Sequence, residues 1–213
     1  MDFKSPDAAL WRETLLSYES VIKNLGKPDL ISHDDFYRKE LPALLHQRDP
    51  DPYLTTAELS RLMEWKLSRG KWRPRLLSFV SSLDDALVRD ASRKAFAALP
   101  DVSKAVSGLT VLKGVGPATA SAVLAAYAPH VAPFMSDEAM TAVIGNSKDY
   151  SLKRYVAFVE KMQDKAKELS SPDDIFTPSD VERALWSCSA AAKVRTKADD
   201  VESERKSKRR RKQ

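Results

Sequence analysis

Apolar residues recur along this chain at three- and four-residue intervals and almost nowhere at every second position. That is the period of helices with one buried face, so the chain reads as all-α. Residues 7–24 carry Leu10, Trp11, Leu15, Val21 and Ile22 and predict a helix ending at Leu25-Gly26-Lys27-Pro28. Residues 34–46 place Phe36, Tyr37, Leu41, Leu44 and Leu45 on a second stretch, with Pro42 expected to break or bend it. The run Gln47-Arg48-Asp49-Pro50-Asp51-Pro52 is a turn-rich loop. Thr55, with Glu58 three residues on, forms a capping box that starts a helix running to about Gly70. On it Leu59, Leu62, Met63, Lys66 and Leu67 share a broad face, which leaves Arg61, Arg69 and the Gly70–Pro74 connection free for solvent or phosphate. Residues 83–99 give another amphipathic helix. Beyond residue 137 the pattern predicts a helix to about Ile144, a longer one near 150–169, and a last one announced by Thr177, Pro178 and Asp180.

Between these lies the segment richest in signal, Leu109-Thr110-Val111-Leu112-Lys113-Gly114-Val115-Gly116-Pro117-Ala118-Thr119-Ala120. Asp101 suits an N-cap, and Val102, Val106 and Leu109 recur on one face of a first helix. Gly114 stands where a left-handed residue is wanted; Gly116 and Pro117 supply the N-cap and first position of a second helix. The chain has only six glycines, and this turn uses two. Such a helix-hairpin-helix, spanning 101–127, brings backbone amides close to an anion at a helix N-terminus. The amides of Val115, Gly116, Ala118 and Thr119 are the expected donors, with Gly114 permitting the turn.

A proline-containing loop and then Asp137 follow the hairpin (Pro129 to Asp137). In this order the segment 101–145 resembles the helix-hairpin-helix DNA glycosylases, a superfamily that includes endonuclease III. Together with Met63-Glu64-Trp65-Lys66-Leu67-Ser68-Arg69-Gly70-Lys71-Trp72-Arg73-Pro74 and Asp180-Val181-Glu182-Arg183-Ala184-Leu185-Trp186, it is similar to the Amun-like group of glycosylase-like nuclear proteins over most of 35–190. The resemblance implies a glycosylase-like helical domain, duplex DNA as partner, a part in base excision repair, and Asp137 as the catalytic carboxylate, with Glu138 in reserve. Bifunctional members carry a lysine two residues after the second glycine, where Ala118 stands, so a monofunctional glycosylase is implied. A non-enzymatic DNA- or chromatin-binding protein that has lost the chemistry is the alternative.

Charge divides the chain. Residues 193–213 hold ten Lys/Arg and four Asp/Glu, leaving twenty-five basic and twenty-six acidic residues in 1–192. Affinity for DNA must then come from a local patch, and Arg61 to Arg75 provides one, with Arg69, Lys71 and Arg73 the expected phosphate contacts beside Trp65 and Trp72. The run Arg205, Lys206, Lys208, Arg209, Arg210, Arg211 and Lys212 reads as a nuclear localisation signal, with an import receptor as partner, on a disordered tail from 193. Residues 1–34 are expected to form an N-terminal helical segment and 35–192 the glycosylase-like domain. One cysteine, Cys188, and three scattered histidines, His33, His46 and His130, predict no metal and no iron–sulfur cluster, and no other cofactor is expected. No apolar run spans a membrane, and a nuclear monomer is expected.

Overall fold

The computed structural model describes residues 1–145 and 149–210, with side chains to residue 196. Among the described residues its regular secondary structure is all helical, apart from one isolated bridge between Ser171 and Asp174. In chain order the helices are α1 (Ala8–Leu16), α2 (Tyr18–Asn24), α3 (Pro28–Asp35), α4 (Leu41–His46), α5 (Thr56–Arg69), α6 (Pro74–Ser81), α7 (Asp85–Ala98), α8 (Val102–Leu109), α9 (Pro117–Tyr127), α10 (Asp137–Ile144), α11 (Leu152–Leu169) and α12 (Pro178–Arg210).

Caps define most starts. Asp7, Thr55, Asp84, Asp101, Ser136 and Ser151 each accept a backbone N–H of the first turn through their side chains. The Thr55 box is closed on both sides, and Thr177 and Asp180 exchange the equivalent pair of bonds ahead of α12. The stretch 28–46 departs from expectation. Pro42 does not break it, because a π-helical turn, Phe36–Glu40, joins α3 to α4 and Leu41 N–H reaches back five residues to Phe36. The expected boundary at 34/35 therefore falls inside one continuous rod. Within residues 1–34, Trp11, Tyr18 and Leu30 are buried in the same core as Trp65, Tyr155 and Trp186, and α1 and α2 pack on α12.

The expectation of a single helix over 7–24 is corrected in the same region: the chain turns at Ser17, where α1 gives way to α2. At the other end α12 carries helical backbone through Arg210, where a disordered tail was expected from 193. The side chains of Arg205, Lys206, Lys208, Arg209 and Arg210 lie outside the described side chains, and Arg211 and Lys212 outside the described residues altogether.

The hairpin forms as read. α8 buries Val102, Ala105, Val106 and Leu109 against α7, and α9 is buried almost all round, its alanines letting α5 and α4 approach closely. Gly114 adopts φ +89°, and a Cβ there would come within 3.0 Å of the Phe79 Cβ on α6. Gly116 is extended, with open space where a side chain would project. The two glycines thus differ in kind. We expect Gly114→Ala to lose at least about 1 kcal/mol of stability through left-handed strain and the α6 contact, whereas Gly116→Ala leaves the melting temperature nearly unchanged; thermal unfolding of the two variants separates them.

Candidate functional site

A cavity of about 370 Å³ opens where α5, the hairpin, the start of α10 and α12 converge. It joins the three sequence segments singled out above: Lys66, Lys71 and Arg73 from the first, Ala118 from the hairpin, and Trp186 from the last. Asp137 stands on its wall as the first residue of α10. The capping duty at that helix falls to Ser136, whose hydroxyl accepts from Ala139 N–H, so the Asp137 carboxylate is left to face the cavity. The loop before it is fixed from two sides. Met135 N–H donates to Ser121 Oγ on α9, and the Tyr155 hydroxyl donates to the Pro133 carbonyl.

The Tyr150 hydroxyl donates to Asp137 Oδ1 at 2.6 Å, and that bond, with partial burial behind it, pushes the phenol up to about 12. Glu138 is engaged elsewhere, accepting from Lys193 Nζ at 2.8 Å. Lys66 lines the cavity without a hydrogen bond or ion pair among the described residues. Burial draws its ammonium below the usual lysine range and the nearby Arg73 cation adds to this, with Asp137 pulling the other way. The walls therefore set several cations around one accessible carboxylate, a field suited to a polyanion carrying a centre of developing positive charge.

Arg69 is corrected. It was expected to meet phosphate, but its side chain is only 4% exposed and its Nη2 donates to Glu182 Oε1 at 2.7 Å. The helix end turns inward here, and the guanidinium lies over the Trp186 ring at 4.3 Å, with Trp65 and Phe134 close by. Burial pushes the Glu182 carboxyl up; the Arg69 cation and the Ser136 hydroxyl pull it back. Arg69 and Glu182 are thus bound to each other, and Ser136, which also acts on the Glu182 carboxyl, caps the helix that carries Asp137. Lys71, Trp72 and Arg73 are exposed at the rim, as expected of the connection, and Trp72 is left half-exposed while Trp65 is core.

Two hairpin donors are also corrected. Val115 N–H already donates to the Leu112 carbonyl and Thr119 N–H to the Gly116 carbonyl, and both side chains are buried. The amides of Gly114, Gly116 and Ala118 have no intramolecular acceptor among the described residues. The sequence did not single out Tyr150 or Ser136 as partners of the site. Glu182 and Trp186 lay within a noted motif, but nothing in their spacing announced a partner more than a hundred residues away. Among the described residues no cluster of His, Cys, Asp or Glu is arranged to hold a metal ion, and no helix is long and apolar enough to cross a membrane. Compared with protein-family models, with curated proteins and with solved structures, the chain matches none.

A buried pair broken on one side leaves an uncompensated charge. Arg69→Met and Glu182→Gln singly should each lose about 3–5 kcal/mol, and the double variant should lose less than the sum of the two, which denaturant unfolding of all three measures as a coupling energy.

Proposed function

We propose that this chain is a glycosylase-like DNA-binding protein that releases a modified or mismatched base by hydrolysis. The observation that carries the reading is the Asp137 carboxylate in a cation-lined cavity beside three unpaired hairpin amides. Duplex backbone would lie across the start of α9, its phosphate taken by the amides of Gly116 and Ala118, with Lys71 and Arg73 on flanking phosphates. A nucleotide rotated out of the stack would enter the cavity at the expense of a few kcal/mol of stacking. As the glycosidic bond breaks, positive charge grows on the sugar. Asp137 stabilises that charge and orients the attacking water, while Tyr150 fixes the carboxylate's direction. Ala118 offers no amine at the hairpin, so the route is hydrolytic. Within this proposal the protein acts in base excision repair in the nucleus, brought there by an import receptor that reads the basic run 205–212.

Duplexes carrying uracil, alkylated, oxidised and mismatched bases, followed by alkali to reveal abasic sites, test the reading under single-turnover conditions. Asp137→Asn should slow release by about 10²–10³-fold while binding is kept or tightened, since a negative charge is removed from beside the phosphates. Binding by the full chain and by a form ending at Ala192 should both weaken with salt, the shorter one with a log–log slope of roughly −3 to −5 for a few phosphates contacted. Duplex binding without release of any base favours the non-enzymatic reading; loss of all binding in the shorter form removes the hairpin as a DNA contact.

A further inference from the structure

A second cavity, of about 240 Å³, adjoins the first, and Arg69 and Phe134 line both. Its other walls come from α2, the π turn, α4, α9 and α12. Three features define what it would take. Its walls are aromatic: Tyr18, Tyr37, Trp65 and Phe134, with Tyr37 and Trp65 stacked at 3.5 Å between ring centroids. Its three guanidinium groups are each paired with a carboxylate, Arg69 with Glu182 in the lining, and Arg183 and Arg38 with Asp180 and Asp34 outside it, so no unpaired cation there calls for an anion. Its hydrogen bonding is nonetheless incomplete. The Nε–H groups of Arg38 and Arg69 are buried, both residues line this cavity, and neither donor has an acceptor among the protein's own groups.

A buried donor left unmade is expensive enough that such positions mark where something else supplies the acceptor. A volume below the roughly 300–1,000 Å³ of drug-sized sites admits one small ring system. Balanced charge asks for a neutral guest, aromatic walls for a flat one, and two unpaired N–H groups for one bearing acceptors. We propose that this second cavity is a binding site for a free nucleobase. Its ring would lie among the aromatic side chains, with carbonyl or ring-nitrogen acceptors toward Arg38 Nε and Arg69 Nε. Glu182 offers a carboxylate to a ring N–H. That the base is the leaving group of the reaction rests on the proposed function, since the two cavities share Arg69 as their partition; the ligand chemistry itself does not.

The test is equilibrium binding of uracil, hypoxanthine and 7-methylguanine to the full chain, by titration calorimetry and by NMR of the arginine Nε–H resonances. Benzoate serves as the flat anion and toluene as the flat ring without acceptors. We expect at least one base to bind with a Kd of about 1 mM or tighter and both comparators to bind at least about tenfold more weakly. The Arg38 and Arg69 Nε–H signals of the wild-type protein should shift as the base is added. Arg38→Met, which keeps the length of the side chain and loses the donor, should weaken binding about tenfold, a single hydrogen bond's contribution. The wild-type resonances decide the matter even if that variant fails to fold. The inference is overturned if no base binds at about 10 mM, if benzoate or toluene binds as tightly as the bases, or if a base binds without moving the Nε–H signals. Base release from duplex DNA is measured independently, so failure of either reading leaves the other measurable.

Discussion

The buried contact between Arg69 and Glu182 is the constraint on which the site depends. It joins the last turn of α5 to the first turns of α12, 113 residues apart in sequence, in a setting where both charges are almost wholly removed from water. Such pairs are weak evidence for stability, because the desolvation of two ions offsets most of their attraction. Their strength lies in geometry. With Trp186, Trp65 and Phe134 packed around the guanidinium, the Arg69 side chain has one place to be, and Glu182 is fixed with it. Ser136, whose hydroxyl also acts on the Glu182 carboxyl, caps α10 and so leaves Asp137 to the cavity. A second polar cluster lies close behind: Asp34 accepts from both the Tyr18 hydroxyl and the Trp65 indole. The aromatic floor is thereby fixed in orientation as well as packed.

That arrangement separates two uses of positive charge. Arg38, Arg69 and Arg183 are matched by carboxylates and serve the interior. Lys71 and Arg73 are exposed at the cavity rim, and Lys66 sits inside it with its ammonium weakened by burial. A body close to electrical neutrality can in this way present a locally basic mouth. Of the two carboxylates that line that mouth, Glu138 is paired with Lys193, and Asp137 is the one without an ion pair.

Much of the fold was legible because the signals were local. Thr55 with Glu58, Asp101, Thr177 with Asp180, and Gly116 with Pro117 each act within four residues of themselves, and each starts a helix as read. The positive φ of Gly114 belongs to the same class. Expectations failed where a distant partner or an unusual turn intervened. Pro42 looks like a helix breaker, yet a π turn five residues long absorbs its missing donor. Arg69 reads as a surface cation by composition, and only Glu182 and three aromatic rings from other segments draw it inward. Val115 and Thr119 were natural donors by position, but the tight turn consumes their amides internally. Asp137 could be chosen from sequence order; its hydrogen bond from Tyr150 and the division of labour with Ser136 could not.

In the proposed function Asp137 stabilises positive charge on a sugar held in the first cavity. The most direct measurement compares the affinity of the full chain for two duplexes that differ at one abasic position, one bearing a neutral tetrahydrofuran and the other a cationic pyrrolidine. Stabilisation of a charged transition state predicts that the cationic duplex binds about 10²-fold more tightly or better, and that Asp137→Asn removes most of that preference. Equal affinity for the two duplexes, or a preference untouched by Asp137→Asn, rules that role of Asp137 out.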